Sequence, residues 1–362
     1  MNTLSLYIHI PFCIKKCAYC DFLSAPQFDA AGAYFAALKK EINAFETDKE
    51  IYSIFFGGGT PSAVDERYIA DILDLIAKKY SIARGCEISL ESNPGTLTEN
   101  KLRTYKNSGV NRISMGAQSF DDRLLKILGR IHSKNGIIKS FELVKKHFDN
   151  HNLDLMFALP SQSLEDWQDT LENAIKLEPT HISAYSLIIE EGTPFYDKYE
   201  PADEKLDRDM YYAARDLLAE NGYRQYEISN FAKTGFECRH NLVYWQGGDY
   251  KGFGLGAASL INSSRLKNTE DMQRYLDGKT IAETIVLSRF EQMQEFVMLG
   301  LRCTDGISAE KFKNTFETDI YTAFGDIIKK HEKSGLLEIS GDNIRLTKKG
   351  IDLSNMVFVD LV

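Results

Sequence analysis

The chain has 362 residues, of which 43% are apolar and 26% are charged, as is ordinary for a soluble globular protein. A formal net charge of −9 argues against a nucleic-acid surface or an anionic-membrane surface as the main function. No apolar stretch approaches the roughly 20 residues that span a bilayer, and the first residues predict a strand rather than a signal peptide.

The first 190 residues predict six strand–helix units. The predicted strands are Leu4–Ile10, Ile51–Phe56, Cys86–Leu90, Asn111–Met115, Leu153–Leu159 and Ile182–Ile188. The predicted helices between them are Phe28–Phe45, Asp65–Tyr80, Thr98–Ser108, Asp122–Leu128, Lys134–Phe148 and Leu164–Leu177. Such units give right-handed crossovers in a parallel sheet. Polar or glycine-rich residues end each strand, as in barrel enzymes, so we predict an α/β fold with a partial (β/α)6 barrel. A doubly wound sheet is the alternative.

Two further regions follow the predicted barrel at residues 1–190. Residues 191–287 predict an α+β extension with a helix at Ala202–Asn221, a strand at Tyr223–Ile228 and an irregular stretch at Phe236–Ala258. Residues 288–362 predict a winged-helix-like domain, from helices and strands at Phe290–Leu301, Ala309–Phe316, Ile320–Lys333, Leu336–Ile339 and Ile344–Leu346. This last region has 10 Lys and Arg against 12 Asp and Glu, which argues against DNA binding.

Three cysteines, Cys13, Cys17 and Cys20, lie within eight residues after the first strand. A cubane iron–sulfur cluster has four irons held by thiolates, so three cysteines leave one iron open. An open iron can hold S-adenosylmethionine through its amino and carboxylate groups, and the cofactor then carries the radical chemistry. A structural zinc site is the alternative, but no further Cys or His pair follows at finger spacing.

Other candidate residues stand at strand ends. The run Gly57-Gly58-Gly59-Thr60 allows close backbone approach, which suits either a ligand or a plain tight turn. Glu91 can accept ribose hydroxyls or stand at a helix N-terminus. Arg130 can clamp a carboxylate or remain solvated. Asp154 interrupts an apolar strand, a costly placement unless it has partners.

The stretch from Glu237 to Trp245 holds a second candidate motif, His240-Asn241-Leu242-Val243-Tyr244-Trp245. Histidine is a common haem-iron ligand, and aromatic rings offer flat faces to a macrocycle. A structural corner with buried aromatic residues explains the same pattern. The residues alone leave both interpretations open.

Residues Tyr7–Cys20 resemble the radical S-adenosylmethionine (SAM) superfamily, and the whole chain resembles the family of the oxygen-independent coproporphyrinogen III oxidase. The matching stretches are the cysteine loop, the triglycine run, Glu91–Pro94, Gly116–Ser119, Asp154–Pro160, His240–Trp245 and the C-terminal helices with their hairpin. This resemblance implies a 4Fe-4S cluster on Cys13, Cys17 and Cys20. It also implies S-adenosylmethionine contacts at Tyr7, Gly57, Gly58, Gly59, Thr60, Glu91, Gln118, Arg130 and Asp154.

Two departures from the oxidase point to a related family. Phe22 stands where the oxidase has a further cysteine, and few residues precede the first strand. Both features are typical of the HemW-type haem chaperones, which bind haem and pass it to respiratory haem proteins. The resemblance therefore implies a haem chaperone, with His240 as the first candidate haem ligand and Cys238 as the second. The alternatives are an oxidase that decarboxylates coproporphyrinogen III and a radical enzyme with another substrate.

These interpretations set the expected partners. We expect haem or porphyrin as cargo, a haem-receiving respiratory protein, an electron donor and no nucleic acid. A cytoplasmic location is expected, and peripheral membrane contact and homodimer formation are left open. Whether the chain is an enzyme is also left open, because Phe22 argues against oxidase activity.

Overall fold

A 12-stranded sheet forms the centre of the molecule in a computed structural model that describes residues 2–361. Its six central strands are parallel: β1 (Thr3–Ile10), β2 (Glu50–Gly58), β3 (Ile82–Ser92), β4 (Arg112–Gln118), β5 (Asn150–Phe157) and β6 (His181–Ser186). The helices between them are α1 (Ala31–Ala44), α2 (Glu66–Lys79), α3 (Glu99–Asn107), α4 (Asp122–Ile127), α5 (Lys134–Lys145) and α6 (Leu164–Lys176).

The strand order identifies the architecture. Strands β1 to β6 are neighbours in chain order, without the reversal that defines a doubly wound sheet. Right-handed crossovers that always step in one direction keep all the helices on one face of the sheet. The predicted partial (β/α)6 barrel is therefore confirmed, and the doubly wound alternative is wrong.

The two faces of these strands differ in chemistry, because successive side chains of a strand point to opposite faces. On β5, Leu153 and Leu155 belong to the main hydrophobic core beneath the helices. On the opposite face, the Asn152 amide donates to the Asp154 carboxylate at 2.8 Å and to the Ser114 hydroxyl at 2.7 Å. The inner face of the barrel is therefore polar.

The extension lengthens the same sheet at both ends. Its elements are α7 (Glu204–Glu220), β7 (Arg224–Glu227), β8 (Asn230–Ala232), α8 (Arg239–Trp245), β9 (Tyr250–Phe253), β10 (Ala258–Ile261), β11 (Ser264–Asn268), α9 (Met272–Leu276) and β12 (Ile281–Val286). Strand β8 pairs antiparallel with β6, and β9 pairs parallel with β1. The predicted division at residue 190 stays a prediction, and the sheet is continuous across it.

The predicted irregular stretch Phe236–Ala258 is a partial error. It contains α8 and β9, which have only seven and four residues. Elements this short carry no readable periodicity. Both depend on partners far away in the chain, since β9 pairs with β1 and the α8 backbone bonds to β3.

The C-terminal region has its own hydrophobic core. It comprises α10 (Arg289–Gly300), β13 (Ile307–Ser308), α11 (Ala309–Phe316), α12 (Ile320–Lys333), β14 (Leu337–Ser340), β15 (Asn343–Leu346), α13 (Lys348–Asp352) and α14 (Ser354–Leu361). The three strands form an antiparallel sheet in the order β13-β15-β14. Three helices around a small sheet match the predicted winged-helix-like arrangement, and α13 and α14 were not predicted. Among residues 2–361, no helix combines the length and the apolar character that crossing a membrane requires.

Candidate functional site

The three clustered cysteines line a single cavity of about 330 Å³ together with residues from the carboxyl ends of the parallel strands. All three are free thiols. Within residues 2–361, no three Cys, His, Asp or Glu side chains converge on one point, as a single metal ion would require. In a cubane the thiolates bind different irons and need not converge. The donor set therefore fits a cluster better than a zinc ion.

Burial and nearby cations act in opposite directions on the pKa values of these thiols. Burial raises the pKa of Cys17 and of Cys20, and the charge of Arg130 partly opposes this effect on the pKa of Cys17. Thiols hold metal only as thiolates, so loading the site must release protons.

The triglycine run brings the end of β2 against the start of the cysteine loop. The Gly59 backbone N–H donates to the Ile10 carbonyl and that of Thr60 to the Phe12 carbonyl, both at 2.8 Å. A Cβ atom on Gly59 would lie 2.7 Å from the Phe12 carbonyl oxygen, a contact that real Cβ atoms do not make. Beside this contact, the Thr60 hydroxyl lies 3.1 Å from the Cys13 sulfur. The glycine run is thus required for close packing within the protein.

Arg130 connects the cysteine loop to the end of β3. Its guanidinium donates to the Tyr19 hydroxyl at 2.6 Å and to the Asn93 side-chain oxygen at 2.8 Å. Asn93 in turn donates to the Thr60 hydroxyl at 2.8 Å. The solvated alternative for Arg130 is therefore wrong. Tyr19 and Asn93 were not singled out individually, although one lies between two of the cysteines and the other follows a strand.

Two carboxylates on the inner face complete the wall of the cavity. Glu91 accepts the Gly58 backbone N–H at 3.1 Å, and Asp154 accepts the Ser114 hydroxyl at 3.0 Å. Burial, together with the charge of Asp154, raises the pKa of Glu91 to about 8. Glu91 lies within β3, so the helix N-terminus alternative is wrong.

The predicted S-adenosylmethionine contacts lie at or next to this cavity. Those that line it are Gly58, Gly59, Glu91, Gln118, Arg130 and Asp154. Gly57 packs between Tyr7 and Glu91. Gln118 ends β4 with a φ of 67°. This left-handed conformation is uncommon for a non-glycine residue.

A second cavity of about 180 Å³ lies inside the barrel. It shares Glu91, Asp154 and Tyr185 with the first cavity, so the two are adjacent. Helix α8 contributes to its wall through His240, Asn241 and Tyr244, and β1 contributes Tyr7. The His240 motif therefore belongs to the barrel interior.

His240 is only 1% exposed and both of its ring nitrogens have protein partners. Nδ1 lies 2.9 Å from the Ser53 hydroxyl, and Nε2 lies 2.8 Å from the Tyr244 hydroxyl. Burial, with the charge of Arg112 adding to it, lowers the pKa of His240 to about 3. Cys238 is fully buried, and burial raises the pKa of its thiol to about 12. This geometry argues against both residues as haem ligands and favours the structural interpretation of the motif.

Comparisons with known proteins agree with the sequence pattern. Residues 7–174 match the Radical SAM superfamily, and residues 287–353 match the HemN C-terminal domain. The chain is 37% identical to Heme chaperone HemW of Lactococcus lactis over 98% of this chain and 96% of that protein. It is 36% identical to Heme chaperone HemW of Bacillus subtilis over 98% of both chains. Heme chaperone HemW of Escherichia coli is 36% identical over 85% of both chains.

A solved structure has the same fold. The radical SAM enzyme coproporphyrinogen III oxidase (HemN) from Escherichia coli matches with a TM-score of 0.84, covering 99% of this chain and 89% of that chain. The sequence identity is 22%, so this likeness concerns the fold alone.

Proposed function

Because the chain belongs to the Heme chaperone HemW family, we propose that it binds haem and delivers it to respiratory haem proteins. The observation that carries this proposal is the identity of 37% to a named haem chaperone over 98% of this chain. The oxidase shares the fold at 22% identity. A shared fold hosts many functions, so the oxidase comparison carries less weight.

We further propose that Cys13, Cys17 and Cys20 hold a 4Fe-4S cluster, and that the strand ends around them hold S-adenosylmethionine. The free thiols, the shared cavity and the absence of a single-ion site within residues 2–361 support this assignment. When bound, the two groups supply a one-electron reduction of a sulfonium.

Individual residues around the cavity have different roles in this proposal. Arg130, braced by Tyr19 and Asn93, fixes the loop that carries Cys17 and Cys20. Glu91 is positioned to share hydrogen bonds with hydroxyl groups, since it lines the cavity and, among residues 2–361, a single protein donor contacts its side chain. Gln118 adds an amide to the same wall.

Phe22 supports a chaperone over an oxidase. Its side chain is 60% exposed and borders the cluster cavity, at the place where the resemblance puts a further cysteine in the oxidase. A phenyl ring supplies no thiolate. An electron donor and a haem-receiving protein are the macromolecular partners that the proposed role requires.

One anaerobic experiment separates the two functions. Reconstituted protein is titrated with haem and followed by absorbance, and a parallel sample receives coproporphyrinogen III, S-adenosylmethionine and a reductant. We expect haem binding, transfer of haem to an apocytochrome and no decarboxylated product.

Cys17→Ala and Cys303→Ala form a matched pair, since Cys303 is an isolated cysteine away from the cavity. Only Cys17→Ala is expected to lose the cluster absorbance. Decarboxylated product that disappears in Cys17→Ala, with no haem bound, would instead establish the oxidase.

A further inference from the structure

Arg112 is the first residue of β4, and its charged side chain lies in the barrel interior. It has no role in the proposed binding of the cluster or of S-adenosylmethionine. It is 2% exposed and lines the 180 Å³ cavity. Its guanidinium carries five N–H donors and stays charged in proteins. Burying such a charge is costly unless it is paired and hydrogen-bonded.

Burial disfavours the charge of Arg112, but negative charges nearby, those of Glu87 and Asp154 among them, raise its pKa overall. Within residues 2–361 this attraction acts at a distance, without a direct bond to the guanidinium. The buried Nε of Arg112 has no hydrogen-bond partner, and the guanidinium makes no ion pair with the surrounding acids. By contrast, Arg130, which lines the adjacent cavity, bonds both Asn93 and Tyr19.

The nearby acids are already engaged by other groups. Glu87 accepts the backbone N–H groups of Arg239 and His240 at 3.2 and 3.1 Å. Asp154 accepts the Ser114 hydroxyl on one oxygen and the Asn152 amide on the other, at 3.0 and 2.8 Å. The hydrogen bonds of both carboxylates are therefore made to groups other than Arg112.

The other titratable groups around Arg112 are neutral at pH 7. Burial and the charge of Arg112 lower the pKa of His181 and of His240. Burial raises the pKa values of Tyr7, Tyr226, Tyr244 and Cys238. It also raises the pKa of Glu91, to about 8. A protonated Glu91 also adds an O–H donor to the wall of the cavity.

We propose that the interior cavity is a binding site for a carboxylate group, which the Arg112 guanidinium holds. A carboxylate matches the fork of N–H donors and is frequently bound by two parallel hydrogen bonds. The volume of about 180 Å³ lies below the roughly 300–1,000 Å³ typical of sites for drug-sized ligands. The cavity therefore takes a short acid or the carboxylate arm of a larger molecule seated in the adjacent cavity.

Two kinds of molecule can supply this carboxylate: haem and a free short-chain acid. Haem carries two propionate arms, and binding one of them here rests on the proposed haem-chaperone function. A free short-chain acid needs no such premise. Both sources place the same chemical group on the same guanidinium.

The experiment compares haem with its dimethyl ester, which lacks free carboxylates, on the reconstituted full chain. The variants are Arg112→Gln, Arg112→Lys and the control Arg84→Gln, whose side chain is exposed on the neighbouring strand β3. In parallel, propionate is added to each protein and the melting temperature is measured. Because Arg112→Lys keeps the charge but not the fork, it tests the site even when Arg112→Gln fails to fold.

We expect wild type and Arg84→Gln to bind haem on the order of tenfold more tightly than the ester, as one charge-assisted hydrogen-bonded pair supplies. This preference should shrink in Arg112→Lys and vanish in Arg112→Gln. Equal binding of haem and ester, with a propionate-induced rise in melting temperature that requires Arg112, supports the same site with a free acid as ligand.

The proposal is overturned when neither the haem preference nor the propionate effect depends on Arg112. Failure of the wild type to bind any haem contradicts the proposed chaperone function instead, and the propionate measurement then still decides whether the carboxylate site exists.

Discussion

Buried ionisable side chains are unusually numerous on the inner face of this barrel. Arg112, Glu87, His181 and His240 are each at most 5% exposed. Buried polar groups are tolerated where hydrogen bonds satisfy them. Apart from Arg112, these side chains are bonded between strands and from helix α8 to β2 and β3. The polar interior therefore depends on a specific set of protonation states.

We expect His240 to make the protein sensitive to acid. Its folded-state pKa of about 3 lies below the usual 6.5. Between these two pH values the imidazole is therefore protonated in the unfolded chain and neutral in the folded chain. The stability it contributes is present above pH 6.5 and is lost as the pH falls toward 3, by about 2 kcal/mol between pH 7 and pH 5. Urea unfolding of His240→Gln should show a correspondingly shallower dependence on pH. Identical slopes for the two proteins would contradict this account.

Arg130→Lys tests the bracing of the cysteine loop. A lysine keeps the charge but cannot reach both Asn93 and Tyr19 with a planar fork. We expect the free energy of unfolding of the cluster-free protein to fall by about 1.5–3 kcal/mol, as for hydrogen bonds to a charged group. Arg123→Lys is the control, because its ion pairs with Asp121 and Asp166 are at the surface. A loss of under about 0.5 kcal/mol is expected there, and an equal loss in both variants would count against the bracing role.

At the scale of elements, the sequence predicted the helices and strands with a clear periodic pattern and missed several short ones. Alternation of apolar and polar residues and the helical spacing of apolar residues located β1 to β6 and α1 to α6. Their carboxyl ends also located most of the candidate site, because parallel strands deliver their ends to one edge. Strand β9 and helix α8 were missed, since they are held by distant partners rather than by local pattern. Strands β10 to β12 were also missed, although each pairs with its neighbour in the chain.

The interior position of His240 shows the same limit at the site. The sequence shows a motif that suits a haem ligand. It does not show that the hydroxyls of Ser53 and Tyr244 lie within hydrogen-bond distance of both ring nitrogens. Arg112 did leave a signal, because it is the one charged residue of the predicted strand Asn111–Met115.

Gly59→Ala should separate the packing role of the triglycine run from a role in ligand contact. The added Cβ would meet the Phe12 and Ile10 carbonyl oxygens at 2.7 and 2.9 Å. We expect a loss of about 1–3 kcal/mol in unfolding free energy, as for an overpacked site, even in protein without cluster or S-adenosylmethionine. Gly32→Ala is the matched control in α1, where the new Cβ has only an ordinary contact with Tyr68 at 3.6 Å. It should raise stability by about 0.4–1 kcal/mol, and unchanged stability in Gly59→Ala would assign the glycine to ligand contact alone.

At the scale of the whole molecule, the two larger hydrophobic cores are joined by backbone bonds and ion pairs. The barrel core and the C-terminal core are separate clusters. Between them, backbone bonds join Ile228 to Arg302 and Thr304 to Tyr226, and Arg302 packs over the Trp245 ring. Ion pairs of Arg208 with Asp352 and of Arg265 with Glu295 also join this region to α7 and β11. The C-terminal region is thus attached at several points along the extension, one of them next to helix α8.

Phe312→Ala tests how far the second core is independent. Phe312 is fully buried among the aromatic residues of that core, so its loss should cost about 3–5 kcal/mol. We expect calorimetry to show a lower melting transition for the C-terminal region, while the cluster absorbance of the barrel persists to the wild-type temperature. Tyr321→Ala, at a side chain that is 42% exposed, should change neither. Simultaneous loss of the cluster signal in Phe312→Ala would mean that the two cores unfold as one unit.

Helix α8 enters the barrel from far along the chain, and this has a consequence for biosynthesis. A ribosome adds roughly 5–20 residues per second, and amino-terminal parts fold first. All six barrel strands, ending at Ser186, leave the ribosome before Arg239–Trp245 has been made. Until then Glu87 and Ser53 lack the backbone and imidazole partners that α8 brings, so water must fill the nascent barrel. The residues that contact the cysteine loop, Thr60, Arg130 and Phe195, by contrast all precede α8 in the chain, so the metal centre can be assembled while the interior is still open.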